Sequence, residues 1–251
     1  MSFVEVFLLF LAGFVSGAIN AVAGGGTFIT FGAFTLIGIG PISANATSSI
    51  AQFPGYITST LAYRRDLVRI WREVLVLAAA SIAGSLVGAL ILLALDNPSF
   101  AALVPWLLLA ATALFAAGPW LRPSPREAAE AARGHRVIGP IVQFLASIYG
   151  GFFGAGMGIM MLATLGLTES GDYHRLNALK NLLATVIAVI AIVVFVSGGV
   201  VAWPAALVMI PGVALGGYSG VWIAKRVPQM AVRLFVIAIG LGLAAYYFYV
   251  A

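Results

Sequence analysis

The sequence predicts an all-α polytopic membrane protein built from two inverted repeats of five segments each. Three observations support this prediction. The chain is 62% hydrophobic and only 8% charged, with a mean hydropathy of +1.09, whereas soluble domains have about 25% charged residues. Residues 17–94 are similar, without a gap, to residues 149–226. Charge is also distributed oppositely in the equivalent loops of the two halves.

The two halves share residues at matching positions. Gly24 and Gly26 correspond to Gly156 and Gly158, Asn45 to Asn177, Trp71 to Trp203, and Gly84 and Gly88 to Gly216 and Gly220. The last four form small-residue stripes that are typical of close helix packing in membranes. Two apolar halves with matching interruptions are typical of transporters built from internal repeats.

Both halves divide into segments in the same order. The first half, 1–118, has apolar runs at 3–23 and 27–40 and predicted helices at 44–63, 74–95 and 99–118. The second half, 137–251, has its segments at 137–154, 158–168, 176–197, 203–224 and 231–250. A linker, 119–136, joins them. The run 27–40 would rise only about 20 Å as a helix, which is short of a hydrocarbon core of about 30 Å. Five crossings per half, or three crossings and a re-entrant hairpin with short half-helices, both fit.

Loop charges predict the orientation of each half. The loop after the third segment is basic in the first half (64–72) and uncharged in the second (197–202). The loop after the fourth segment reverses this, with Asp96 alone in the first half and two basic residues at 225–226 in the second. Because basic loops face the cytoplasm, the repeats are predicted to be inverted. The linker is then cytoplasmic and the N-terminus periplasmic. The net charge of +5 lies in these loops, so no nucleic-acid partner is predicted.

The glycine-rich breaks are the first candidate site. Each precedes a short apolar helix, where glycine permits close backbone approach and the helix start presents unpaired N–H groups and a positive dipole end. Two such ends brought together by inversion would bind an anion without a charged side chain. Close helix packing through small residues is the alternative. The candidate residues are Gly24, Gly25, Gly26 and Thr27 in the first half and Gly156, Met157 and Gly158 in the second.

A second set of candidates lies at the start of the next helix in each half. These polar residues are Asn45, Ser48, Ser49 and Gln52 in the first half and Asn177, Lys180 and Asn181 in the second. Asn45 and Asn177 are predicted either to contact the ligand or to cap their own helices, a position that Asn favours. Lys180 begins an otherwise apolar segment. An intramembrane lysine typically marks a pathway or a partner, and the alternative is snorkelling to the cytoplasmic interface.

Cysteine, histidine and deeply placed carboxylates, the residue types typical of catalytic and metal sites, are absent from the apolar segments. The chain has no cysteine and only two histidines, His135 and His174, both in predicted loops. No carboxylate lies deep in a predicted helix. We therefore predict no enzyme activity, no metal site and no cofactor.

These motifs resemble the sulfite exporter TauE/SafE family, within the 4-toluene sulfonate uptake permease group. The resemblance covers nearly the whole chain and is carried by the glycine triplet 24–26, the helix start 44–49, the glycine-rich run 150–158, and the stretches 178–181 and 197–199. It implies a bacterial inner-membrane carrier of sulfur-containing oxyanions such as sulfite or organosulfonates. Met157 departs from the family pattern, in which a third glycine is common, and this leaves the size of the site open.

The sequence therefore predicts a multi-pass secondary transporter that binds a small sulfur-containing anion and works by alternating access. An anion channel with the same site and a membrane scaffold without transport are the alternatives. The partners are the substrate and the lipid bilayer. The outer helix surfaces are all apolar, so the sequence is compatible with a homo-oligomer but does not define the oligomeric state.

Overall fold

A computed structural model of the chain describes residues 1–62, 71–117, 138–169, 173–224 and 229–250. Within these ranges the secondary structure consists of ten α-helices without strands, five before the linker and five after it. The linker 119–136 and the loop residues 63–70 and 225–228, on which the predicted orientation rests, lie outside the described residues.

The first five helices, α1 to α5, are Phe3–Ala23, Thr27–Leu36, Pro41–Ala62, Trp71–Leu93 and Asn97–Ala117. The second five, α6 to α10, are Ile138–Phe152, Met157–Thr168, Tyr173–Ser197, Trp203–Ala224 and Gln229–Val250. Both halves thus have a short second helix directly after a glycine break, as the sequence predicts.

The lengths and surfaces of the helices are those of a polytopic membrane protein. In the described part of the chain, four helices (α1, α4, α5 and α8) are long and apolar enough to cross a bilayer. The helix α2 has only 10 residues, a rise of about 15 Å, and α7 has 12. Large apolar side chains are exposed on the outside, including Phe3, Trp106 and Leu207. The all-α membrane fold and the short helices are confirmed.

Most helix boundaries differ from the prediction by one to four residues, and two of these differences have a clear local cause. The helix α2 ends at Leu36 rather than at 40, because Gly38 takes a left-handed conformation with φ +83° and the Ile39 N–H turns back to the Phe34 carbonyl, 3.1 Å away. Such a glycine ends a helix at little cost. The helix α3 begins at Pro41, where proline needs no hydrogen bond. The Ile42 N–H donates to Asn97 Oδ1 at 3.1 Å, so a distant side chain stabilises this helix start.

The halves exchange partners when they pack. The first helix of each half lies along the fourth helix of the other, as α1·α9 and α4·α6, and these are the two most extensive helix pairs. The third helices, α3 and α8, pack against each other, and so do the fifth, α5 and α10. This reciprocal pattern supports two related halves. Their inversion across a membrane stays a prediction.

Small residues allow these long helix pairs to approach closely. A Cβ atom on Gly84 would lie 2.3 Å from the Phe144 carbonyl oxygen, and one on the equivalent Gly216 would lie 1.9 Å from that of Phe14. Neither position has room for a methyl group. The predicted packing role of these two glycines is therefore confirmed by their surroundings.

We expect Gly84→Ala and Gly216→Ala each to destabilise the fold by about 1–3 kcal/mol, because the added methyl group would force backbones apart. Thermal unfolding of the purified protein in detergent measures this. Gly242→Ala is the matched control, since nothing lies within 4 Å of a Cβ at that helical position. Equal unfolding temperatures for all three variants would contradict the packing argument.

Candidate functional site

The two glycine breaks meet at the centre of the molecule. Gly24 and Gly156, equivalent positions in the two halves, both have φ +79°. Residues other than glycine rarely adopt this backbone conformation. A Cβ on Gly24 would lie 3.2 Å from the Gly158 carbonyl carbon, and one on Gly158 would lie 3.0 Å from the Gly24 oxygen. The breaks therefore touch backbone to backbone, and only glycine permits this contact.

Thr27 connects the first break to the second. It is the first residue of α2, and its Oγ1 accepts a hydrogen bond of 2.9 Å from the Gly156 N–H. Gly25 and Gly26, which precede it in the chain, are both buried. The first break thus places two buried glycines directly before α2, where a helix start presents backbone N–H groups.

Asn45 holds the end of α6. Its Nδ2 donates to the Phe152 carbonyl at 3.0 Å, and its Oδ1 accepts from the Gly154 N–H at 3.2 Å. The alternative in which it caps its own helix is excluded, because α3 begins four residues earlier at Pro41. Asn177 likewise lies inside α8, which begins at Tyr173. Both ends of the Asn45 amide are thus engaged, and they join α3 to the end of α6.

The other candidates on α3 have separate partners. The Ser48 and Thr30 hydroxyls are hydrogen-bonded to each other. Ser49 Oγ donates to the Asn45 carbonyl at 3.1 Å and faces Gly154, where a Cβ would lie 2.9 Å away. Gln52 donates from Nε2 to Ser16 Oγ. Of these three residues, only Ser49 faces the second break directly.

A small cavity lies beside the second break. Its volume is about 10 Å³, measured as the space open to the centre of a water molecule, and this is room for roughly one water. Its walls are formed by Thr27, Ser49, Tyr56, Gly150, Gly154, Met157, Ile187, Ala188 and Ala191. The first three supply hydroxyl groups, and the α8 residues make the opposite wall apolar.

Lys180 is buried but does not line this cavity. Its side chain is 2% exposed, so it does not snorkel to the protein surface. It shares a face of α8 with Ala184 and Ala188 at four-residue spacing, and it lies seven residues, or about 10 Å along the helix, from the wall residue Ile187. Asn177 and Asn181 are also buried.

Several residues at the centre are not among those predicted from the sequence. Tyr56 lines the cavity one turn after Gln52 on α3. Ser16 and Asn20 are buried polar residues within the apolar helix α1, and their polarity in that run was the signal that could have found them. The apolar wall residues gave no such signal. No cluster of three metal-ligating side chains occurs in the part of the chain that the structure describes.

An apolar helical bundle with two broken helices meeting at a buried polar centre is the architecture of a membrane transporter. The chain belongs to the TauE/SafE sulfite exporter family, since a family model described as "Sulfite exporter TauE/SafE" matches residues 9–247. The family prediction is therefore confirmed.

Similar proteins have names that agree with this class. A probable membrane transporter protein of Haemophilus influenzae is 28% identical over 85% of this chain and 82% of its own length. One from Sinorhizobium, ORF9, is 29% identical over 94% and 89%. The Escherichia coli K12 probable membrane transporter YfcA is 25% identical over 95% and 87%. No solved structure matches the chain.

We expect Thr27→Val to destabilise the protein by about 1–3 kcal/mol, because the buried Gly156 N–H would lose its acceptor. Valine keeps the shape of threonine, so packing is little changed. Thr27→Ser retains the hydroxyl and is the matched control in thermal unfolding. If the valine and serine variants unfold at the same temperature, the hydrogen bond between the two breaks does not stabilise the site.

Proposed function

We propose that this protein is a secondary transporter that moves a sulfur-containing oxyanion, sulfite or a small organosulfonate, across the bacterial inner membrane by alternating access. The observation that carries the proposal is the contact between the two buried glycine breaks. The N–H groups of Gly25 and Gly26, directly before α2, are proposed as donors to the anion. The predicted orientation, with a cytoplasmic linker and a periplasmic N-terminus, is part of the proposal.

The chemistry of the centre suits an oxyanion. A sulfite or sulfonate group spreads its charge over three oxygen atoms, each of which accepts hydrogen bonds from neutral donors. The Thr27 hydroxyl lines the cavity and supplies one such donor, and the backbone N–H groups at the start of α2 lie directly before it in the chain. Ser49 would supply another by exchanging its bond to the Asn45 carbonyl for one to the anion. The positive end of the short helix dipole adds to the attraction. The apolar wall on α8 would contact the organic group of a sulfonate.

Lys180 is proposed to attract the anion on its way to the cavity. A buried ammonium group is costly in an apolar segment unless a ligand or partner compensates it. Its place on the cavity-facing side of α8, about two turns nearer the start of the helix, fits an entrance position rather than direct contact. The predicted cytoplasmic location of that helix start makes it the inner entrance.

The size of the cavity favours a carrier over a channel. An oxyanion with three oxygens is much larger than the single water that about 10 Å³ admits. The site must therefore widen before it binds substrate. A centre that is closed around its own hydrogen bonds and opens for a ligand is expected of alternating access, whereas an open channel would need a continuous pore.

Binding is tested by titrating sulfite, methanesulfonate, sulfate and a matched carboxylate against the purified protein and following thermal stability. We expect a saturable rise with at least one sulfur oxyanion, and a loss of affinity of roughly tenfold in Lys180→Met, because one favourable charge is removed. Lys180→Arg is the control that keeps the charge. Unchanged affinity in Lys180→Met would remove Lys180 from the pathway, and no response to any sulfur oxyanion would contradict the proposed substrate.

Transport in proteoliposomes separates a carrier from a channel. We expect sulfite flux to saturate with concentration. We also expect unlabelled sulfite on the opposite side to drive labelled sulfite uphill, because the binding site of a carrier can bring bound substrate back across the membrane. Flux that rises linearly with concentration and shows no counterflow would instead indicate a channel. Thr27→Val serves as the site variant, and Gly242→Ala, outside the site, as the control.

A further inference from the structure

A second polar cluster lies beside the first glycine break and shares Tyr56 with the wall of the cavity. It is formed by Ser16 and Asn20, one turn apart on α1, and by Gln52 and Tyr56, one turn apart on α3. Ser16 contacts Gln52, and the Asn20 amide lies beside the Tyr56 hydroxyl. All four side chains are buried, with exposures of 8% or less.

Two oxygen atoms in this cluster have no hydrogen-bond donor in the part of the chain that the structure describes. Gln52 Oε1 and Asn20 Oδ1 are both buried and unpartnered. The orientation of Gln52 is fixed by its neighbour: Ser16 Oγ donates its only hydrogen to the Gly26 carbonyl at 2.6 Å, so Gln52 must present its Nε2 to Ser16. Its Oε1 is then left facing the interior. A buried acceptor without a donor typically costs about 1–3 kcal/mol, which is a cost that a bound ligand would offset.

The cluster occurs in only one half. The positions equivalent to Ser16, Asn20, Gln52 and Tyr56 are Ile148, Phe152, Ala184 and Ala188, all apolar. The second half forms its own break and its own third helix with these apolar residues. The fold therefore does not require polar residues here, and a ligand-binding role explains their presence in the first half.

The free groups define the kind of ligand. Both are amide oxygens, and the cluster contains no carboxylate, so its charge is zero. Oxygen ligands without formal charge suit a monovalent alkali cation, whereas Ca²⁺ and Mg²⁺ sites are built with carboxylates. We propose that Asn20 and Gln52, with Ser16 and Tyr56 beside them, form the binding site of an alkali cation, of which Na⁺ is the first candidate. This cation would be transported together with the anion.

The cluster is connected to the anion site through one residue. Ser16 links Gln52 to the Gly26 carbonyl, and the Gly25 and Gly26 N–H groups are the donors assigned to the oxyanion. A cation at Gln52 would thus fix the conformation of the same break that binds the anion, and it would offset the anion's charge in an apolar medium. The coupling rests on the proposed function, whereas cation binding itself does not.

Thermal unfolding without a sulfur anion tests the site directly. The full-length protein is titrated with sodium, potassium or choline gluconate at constant ionic strength. We expect Na⁺ to raise the unfolding temperature saturably, by about 3 °C, and choline to have no effect. The same saturable response to K⁺ would support an alkali site that does not select Na⁺.

The variants are Gln52→Leu and Asn20→Leu, each of which should weaken Na⁺ binding by roughly tenfold or more, since each removes an oxygen ligand. Gln143→Leu is the matched control. Gln143 is another buried glutamine with an unpartnered Oε1, held by Ser81 and Ser147 and away from the break.

Asn20→Asp keeps the side-chain oxygen and adds a negative charge, so this variant should bind Na⁺ more tightly. This outcome keeps the proposal testable if the leucine variants fail to fold. Binding of radioactive Na⁺ to the wild-type protein gives a second measurement.

The outcomes separate the two proposals. No saturable Na⁺ response in the wild-type protein, or an equal response in Gln52→Leu, would overturn the cation site and indicate that a buried water satisfies the two oxygens. Sulfite stabilisation would then leave the proposed function standing. A Na⁺ response without any response to sulfur oxyanions would support the cation site and overturn the substrate. When both bind, Na⁺ should lower the dissociation constant of sulfite, and sulfite that of Na⁺ by the same factor.

Discussion

Every polar backbone group inside an apolar bundle must find a partner, and this constraint shapes the centre of the protein. Two helices are broken there, at Gly24 and at Gly156, and lipid or apolar side chains cannot satisfy the freed N–H and C=O groups. Side chains from distant parts of the chain supply the partners. Thr27 and Asn45 hold the second break, and Ser16 holds the first. The arrangement of the helices around the centre follows from these bonds.

The polar residues at the start of α3 show how one short segment serves several neighbours. Asn45 holds the end of α6, Thr47 accepts from the Ala202 N–H at 3.0 Å before α9, and Ser48 bonds to Thr30 on α2. Each of these contacts joins α3 to a different helix or turn. The segment therefore fixes the relative positions of both halves, and movement between the halves in a transport cycle would have to break or exchange some of these bonds.

The two halves have the same order of helices but different polar residues, and this difference makes the two sides of the centre chemically unlike. In the first half the third helix carries Ser48 and Gln52, and in the second the equivalent positions are Lys180 and Ala184. The first half thus offers neutral oxygen atoms beside its break, and the second offers a buried ammonium group about two turns from the cavity. Repeats that are alike in packing and unlike in charge can present different sites to the two sides of a membrane.

The sequence by itself determined the membrane class, the repeat, the ten segments and the breaks, because hydropathy, glycine spacing and internal similarity are properties of the order of residues. Most of the candidate residues do lie at the buried centre. Only the tertiary structure decided their partners: Asn45 reaches α6 instead of capping its own helix, Lys180 lies away from the cavity, and Ser16, Asn20 and Tyr56 join the centre. These outcomes depend on which helices pack together, and the pairing of α1 with α9 and of α4 with α6 joins residues that are far apart in the chain.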